Sequence, residues 1–285
     1  LLGRWRQGHR FNVAAVFALV FAGVIPLTLL AWREDHFGPE AANLAAAIAD
    51  AQADADRAVE LAGGPLGIPP AGALALLRAD VKTRGKRLFA QHCAGCHSPA
   101  TGPDAAAGEP SGAPRLDGFA SRAWLSGLLD SQRVAGSDYF GRTKHRDGDM
   151  VGFVQGDLQE WQPQEVENVV IALSAEAHLP SQAAADQQDQ AKIEQGLALL
   201  RDTTRGCVMC HRFRDSGGSD ARPDLTGYGS REWLLAFIAN PGHGRFYPDG
   251  ANDRMPAFGD LGLLTTEEIG VLADWLRGDW WKPDH

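Results

Sequence analysis

The sequence predicts an all-α protein with one N-terminal transmembrane helix, a long Ala-rich helix and two tandem domains that share one repeat. Three observations carry this prediction: an uncharged apolar run near the N-terminus, helical spacing of apolar residues without an alternating strand pattern, and an ordered set of motifs that occurs twice. The predicted boundaries are 1–10 for an N-terminal segment, 11–32 for the transmembrane helix, 33–82 for the Ala-rich helix and a Pro/Gly linker, 83–179 for the first domain, 180–189 for a linker and 190–285 for the second domain.

The composition of the 285-residue chain is that of a folded protein. Hydrophobic residues make up 44% and charged residues 22%, which excludes a mainly disordered chain. The 27 basic and 36 acidic residues give a formal charge of −9. This acidic balance argues against a nucleic-acid partner and favours partners with basic surfaces.

The uncharged run 11–32 is long enough to cross a membrane, because as a helix it would extend about 33 Å against a hydrocarbon core of about 30 Å. The charges that flank it are Arg4, Arg6 and Arg10 before the run and Arg33, Glu34 and Asp35 after it. The positive-inside rule then places 1–10 in the cytoplasm and the rest of the chain on the other side. The alternatives are a buried helix of a soluble protein and a cleaved signal peptide, which would need a shorter apolar core and a small-residue cleavage site.

The Ala-rich stretch 40–62 has apolar residues at helical spacing and ends at Gly63, Gly64 and Pro65. Its small side chains fit close contact with a partner helix. A solvated spacer made of good helix formers explains the same composition, so both roles stay open.

The two predicted domains repeat each other in order. The segment Pro114 to Leu125 recurs 109 residues later as Pro223 to Leu234, with Pro, Leu, Gly, Ser, Arg, Trp and Leu at matching places. Farther along, the spacing Met-x-x-Phe at Met150 recurs at Met255, and an apolar helix is predicted after each. The ordered set indicates a duplicated architecture.

Two cysteine pairs carry the chemistry: Cys93-Ala-Gly-Cys96-His97 and Cys207-Val-Met-Cys210-His211. Each is a c-type haem attachment motif, in which the two thiols bind the vinyl groups and the next His presents its imidazole to the iron. A zinc ribbon would need its second pair about 15–20 residues on, and a thioredoxin-like dithiol would need a βαβ context. Neither condition is met, so the sequence predicts two covalently bound haem c groups with these two histidines as iron ligands.

Methionines supply the candidate sixth ligands. Met209 lies between the cysteines of its own motif, which leaves Met150 and Met255, one in each repeat at equivalent places. The alternative ligands are Lys144 and His145 near the first methionine and His243 near the second. Core packing is the alternative role for either methionine.

On these residues the chain resembles the class I cytochrome c superfamily twice. The segment Arg254 to Phe258 is similar to the Met loop of that family, whereas the Met150 segment lacks the proline that follows Met255. The resemblance implies tandem class I cytochrome c domains, each an all-α cradle of short helices around a haem. The carbonyls of Pro114 and Pro223 are then expected to accept a hydrogen bond from the free ring nitrogen of the iron-binding His.

The anchor, the Ala-rich helix and the segment Gly67 to Ala73 are also similar to the dihaem c subunits of bacterial cytochrome bc-type quinol oxidoreductases. This resemblance implies a single-pass subunit of the bacterial inner membrane with periplasmic haem domains. Its role would be to relay electrons in a respiratory or photosynthetic chain, without substrate chemistry of its own. The implied partners are the membrane, cytochrome b and Rieske-type subunits, and a downstream cytochrome c or oxidase.

The dihaem subunit of a cbb-type haem-copper oxidase is the main alternative, because it also joins an N-terminal anchor to two c domains. A dihaem peroxidase would need one open iron, which an equivalent methionine in each repeat disfavours. A haem-based sensor would need an effector domain, and none is predicted.

Overall fold

The computed structural model describes residues 2–38, 40–65, 67–97, 112–218, 223–248 and 250–283, with side chains from Asn12 onward. The described residues form α-helices and no strand, as the sequence predicts. The helices are α1 (Leu2–Phe37), α2 (Ala41–Ala62), α3 (Ala73–Ala79), α4 (Val81–His92), α5 (Arg122–Leu128), α6 (Asp149–Gln155), α7 (Pro163–Ala175), α8 (Ala183–Gln188), α9 (Gln190–Leu200), α10 (Arg231–Ala239) and α11 (Thr266–Leu276). Short 3₁₀ turns lie at Asp157–Glu160, Pro180–Gln182 and Cys207–Met209.

The chain divides into two units, Leu1–Val59 and Glu60–His285. The first unit contains α1, which includes Pro26 and joins the predicted segment 1–10 to the apolar run without a break from Leu2 onward. Within its part Asn12–Phe37, an 18-residue stretch has a mean hydropathy of 2.6, and none of that stretch is buried. Among the described helices it is the one long and apolar enough to cross a membrane, and a signal sequence near an N-terminus has the same features.

The Ala-rich stretch forms α2, close to the bounds that the sequence predicts. Three of its apolar side chains, Leu44, Ile48 and Val59, are exposed. The helix therefore owes its formation mainly to alanine, the best helix former, and to its Gly-rich end rather than to burial of an apolar face.

The second unit has one hydrophobic core to which both repeats contribute. Leu125 and Val154 of the first repeat and Leu200 and Phe246 of the second are almost completely buried in the same cluster. The predicted domains 83–179 and 190–285 thus share a core in the described residues.

The helices of the second unit pair across the two repeats. The most extensive contacts join α7 with α9 and α4 with α11, whereas α5 packs on α7 and α10 packs on α11. The first helix of each repeat therefore lies against the last helix of the other repeat.

Two glycines allow these helix pairs to approach closely. A methyl group placed on Gly85 of α4 would lie 2.2 Å from Cβ of Trp275 on α11. A methyl group on Gly196 of α9 would lie 2.0 Å from the carbonyl oxygen of Asn168 on α7. Only a residue without Cβ fits at either crossing.

The repeated Gly and Ser have identical roles at the starts of α5 and α10. Gly118 and Gly227 both have φ of 64°, a left-handed conformation that favours glycine. Three residues on, Ser121 Oγ accepts the Trp124 N–H at 3.2 Å and Ser230 Oγ accepts the Trp233 N–H at 3.1 Å. These N-caps fix where both helices begin.

Between these turns and helices the repeats meet at equivalent residues. The rings of Phe119 and Tyr228, which are equivalent in the repeat, have centroids 5.4 Å apart. Beside them, a methyl on Gly229 would lie 2.3 Å from Cβ of its equivalent, Ala120. Buried Arg277 closes this contact by donating to the carbonyls of Gly229 at 3.1 Å and His178 at 2.9 Å, and also to that of Ala177.

The segment 180–189, predicted as a linker, contains a 3₁₀ turn and α8. Its carboxylates bind Arg122, at 2.6 Å for Asp186 and 2.5 Å for Asp189. The segment is therefore attached to the start of α5.

We expect Gly229→Ala to lower the free energy of unfolding by about 2–4 kcal/mol, because Gly229 has φ of 74° and the new methyl would collide with that of Ala120. The variant Ala120→Gly removes that methyl and should restore part of the loss when the two changes are combined. Denaturant unfolding of both single variants and the double variant measures this coupling, and strict additivity would contradict the contact.

We expect Gly196→Ala to be destabilising by about 1–3 kcal/mol, since the α7–α9 crossing leaves no space for Cβ. Gly152→Ala is the matched control: Gly152 is also helical, and nothing lies within 4 Å of a methyl placed there. Because alanine has the higher helix propensity, the control should be neutral or stabilising by up to about 1 kcal/mol. Thermal unfolding compares the two, and equal effects would show that the crossing is not tight.

Candidate haem sites

The first cysteine pair continues directly from α4. Asp80 caps the start of this helix by accepting the Thr83 N–H at 3.0 Å. At its end the Cys93 N–H donates to the Phe89 carbonyl at 2.8 Å, and the N–H groups of Cys96 and His97 donate to the Cys93 carbonyl at 3.0 and 2.8 Å. One turn therefore carries both thiols and the imidazole.

The second pair forms the same turn although six residues separate the end of α9 from Cys207. Cys207–Met209 is a 3₁₀ turn, and the N–H groups of Cys210 and His211 donate to the Cys207 carbonyl at 3.1 and 2.8 Å. The local structure of the motif is thus independent of how the preceding helix ends.

Each motif histidine is held by the carbonyl of the expected proline. Nδ1 of His97 lies 2.6 Å from the Pro114 oxygen, and Nδ1 of His211 lies 3.0 Å from the Pro223 oxygen. A carbonyl oxygen can only accept, so Nδ1 carries the proton and Nε2 keeps its lone pair. This arrangement is typical of a histidine that binds a metal through Nε2.

Burial lowers the pKa of both histidines, against the opposing effect of the hydrogen bonds to the proline carbonyls. The lowered pKa favours the neutral imidazole at neutral pH. Neutral imidazole is the form that binds a metal ion.

Burial also changes the first thiol of each motif. It raises the pKa of Cys93 to about 11, with a smaller contribution from Cys96, and raises that of Cys207 to about 12. Redox-active dithiols have lowered pKa values instead. The environment of these thiols therefore argues against a thioredoxin-like activity.

A tryptophan in each repeat holds the loop that carries the proline. The Trp124 indole N–H donates to the Arg115 carbonyl at 2.8 Å, and the Trp233 indole N–H donates to the Asp224 carbonyl at 3.0 Å. In both cases the acceptor is the residue after the proline. In the sequence these tryptophans are only matching places of the repeat, and their constant distance from the proline is the signal that indicates this role.

The candidate sixth ligands lie in different local structures. Met150 is the second residue of α6, and Met255 lies in a loop where Asn252 Nδ2–H donates to its carbonyl at 2.8 Å. Both are half-buried and pack against the core, whereas Met209 is 58% exposed. Their burial fits a ligand and a core residue alike.

The alternative sixth ligands have other contacts. The Lys144 ammonium donates to the carbonyls of Gly250 and Asn252, the latter at 2.9 Å. The His145 ring lies 5.7 Å from that of Tyr247. His243 Nδ1 accepts the Arg245 N–H at 3.2 Å, beside the loop that carries Pro223.

The donor set fits haem c at both motifs. All four cysteines are unpaired, and the two histidines have Nε2 available for iron. Among the described residues no group of three or more His, Cys, Asp or Glu side chains is placed to hold a metal ion. The residues 98–111 and 219–222, which separate each His from its proline loop, lie outside the described residues.

Comparison with known proteins gives one match. Residues 83–171 match the family model described as Cytochrome c. Neither the curated proteins nor the solved structures contain a match to the chain. The matched stretch includes the first motif, Met150 and most of α7, so it supports a class I cytochrome c domain there, and with it electron transfer and covalently bound haem c.

We expect Trp124→Phe to loosen the Pro114 loop, because the indole hydrogen bond to Arg115 is lost, at a cost of about 1–2 kcal/mol. Trp161→Phe is the control, because it also replaces a buried tryptophan by the smaller phenylalanine. The Trp161 ring contacts the Arg205 guanidinium, whose Cζ lies 4.8 Å from the ring centroid, rather than a loop carbonyl. Hydrogen exchange of the segment 112–118 should accelerate only in Trp124→Phe. The same acceleration in both variants would exclude a specific clamp.

Proposed function

We propose that the protein is a membrane-anchored dihaem cytochrome c that relays electrons as the c subunit of a bacterial cytochrome bc-type quinol oxidoreductase. The observation that supports a second haem is that the two motifs have the same local structure. The second repeat reproduces the turn of the first, the His–proline contact and the tryptophan clamp, although the family match covers only 83–171. The same local structure at both motifs supports the same cofactor at both motifs.

When bound, the haem iron supplies a one-electron redox centre. The cysteines would hold each haem through thioethers, and His97 and His211 would bind the irons through Nε2. The carbonyls of Pro114 and Pro223 fix the orientation and tautomer of these rings, and the first cysteine of each motif packs against the core. A rigid environment keeps reorganisation small when an electron arrives or leaves.

Met150 and Met255 are the proposed sixth ligands. His/Met ligation raises the reduction potential, and a complete ligand set leaves no position for a substrate. The contacts of Lys144 with two loop carbonyls and the position of His243 beside the proximal loop support the methionines over these alternatives.

The apolar helix α1 supports a membrane anchor with the haem domains on the periplasmic side. The net charge of −9 favours docking of a soluble acceptor through a basic surface. Cytochrome b and a Rieske-type subunit are the proposed partners within the complex, and a cytochrome c or an oxidase is the proposed acceptor.

We expect two haem c groups per chain in a pyridine haemochrome assay of the purified protein. Peptide mapping should find one haem on each cysteine pair, and Cys207→Ser with Cys210→Ser should remove one haem. Carbon monoxide should bind the reduced protein slowly, since both irons are fully ligated. A count of one haem, or rapid carbon monoxide binding, would contradict the proposal.

The host complex is tested by purification of the native assembly in mild detergent. Haem b with a Rieske cluster should co-elute with this chain. Co-elution of haem b with copper would instead assign the chain to a cbb-type oxidase. That result would contradict the proposed host complex but not the proposed relay of electrons by two haems.

A further inference from the structure

The cysteine-bearing helix of the first repeat is packed on the last helix of the second. Gly85 and Phe89 of α4 meet Trp275 of α11, with the rings of Phe89 and Trp275 5.0 Å apart. Arg84 of α4 also binds Glu267 of α11 at 2.7 Å. Apolar contact, close approach and an ion pair thus fix the same pairing.

The pairing of α9 in the second repeat with α7 in the first has the same kinds of contact. Gly196 of α9 sits against the backbone of Asn168 on α7, and the Asn168 amide N–H donates to Gln195 at 2.8 Å. Lys192 of α9 binds Glu167 of α7 at 2.9 Å. The exchange of helix partners is therefore reciprocal.

The first pairing brings the first motif to the loop of the second methionine. Cys93 follows α4 immediately, and the ring of His92, the residue before it, lies 6.3 Å from the ring of Phe258. Phe258 is buried and comes three residues after Met255. The residue just before the first motif therefore lies beside a residue just after Met255.

The second motif has the matching relation to the first repeat. Arg205, two residues before Cys207, binds Glu165 of α7 at 2.6 Å and lies over the ring of Trp161. Trp161 belongs to the segment that joins α6, the helix of Met150, to α7, and Glu165 lies in the first turn of α7. Both motifs therefore lie beside the helix that follows the methionine of the other repeat.

The geometry points to an exchange of iron ligands between the repeats: the haem on Cys93 and Cys96 takes His97 and Met255, and the haem on Cys207 and Cys210 takes His211 and Met150. The inference rests on the proposed function and replaces the expectation of one complete ligand set in each repeat. Each haem then cross-links the two halves of the unit, so that neither repeat completes a site alone.

Contacts at the Met255 loop are consistent with this assignment. Besides the Lys144 ammonium, the first repeat contributes the Arg142 carbonyl, which accepts from the Arg254 guanidinium at 3.2 Å. A methyl on Gly112, two residues before Pro114, would lie 2.3 Å from the same guanidinium. The loop of Met255 is thus attached to the segment that holds His97 by its proline carbonyl.

The test is nuclear magnetic resonance of the reduced full-length protein in detergent, with ¹³C labels on the methionine methyl groups. Three methionines give three signals. Met209→Leu identifies the exposed one, and Met150→Leu distinguishes the remaining two. The haem of the second motif is recognised by contacts of its thioether bridges with Val208, which lies between Cys207 and Cys210 and is buried.

We expect the Met255 methyl to show nuclear Overhauser contacts with the haem on Cys93 and Cys96, and the Met150 methyl with the other haem. Contacts of Met255 with the haem beside Val208 would overturn the inference and restore one ligand set per repeat. Absence of haem contacts from both methyls would also overturn it. The haem content of the same sample is measured by the haemochrome assay. Two haems per chain would leave the dihaem proposal valid even if the ligand exchange is refuted. One haem per chain would refute the dihaem proposal itself.

Discussion

The rest of the second unit depends on the two tight helix crossings, at Gly85 and Gly196. Each crossing joins the beginning of one repeat to the end of the other. Both repeats therefore contribute to one core, and the residues that follow Gly118 and Gly227 meet within it. Burial of apolar surface across both repeats is the main source of its stability.

Backbone atoms fix the orientation of the two motif histidines. A proline carbonyl directs each imidazole, and the next carbonyl along the chain is held by an indole N–H. Two adjacent carbonyls of one loop therefore have different partners and fix the loop from both sides. Because backbone acceptors cannot be replaced by a side-chain substitution, the tautomer of His97 and His211 is insensitive to most sequence changes around them.

The sequence predicts the local structure of this protein much better than it predicts which helices pack against each other. Apolar spacing and the Gly-rich end predict α2, and the cysteine spacing predicts the motif turns. The exchange of helix partners could not be predicted, since α7 and α11 present similar apolar faces after similar motifs and nothing local tells Gly85 which of them to meet. Likewise, Lys144 is a plausible ligand by position, and only the fold places its ammonium on the carbonyls of the opposite loop.

The pair Ala120 and Gly229 has a consequence for the origin of the duplication. In a symmetric dimer of two single-repeat chains this position would face its own copy, and two methyl groups would occupy the space that here holds one. Glycine on both chains is the residue pair that symmetry permits. An alanine on one side alone requires the two copies to be encoded separately, so this small asymmetry is accessible only after duplication.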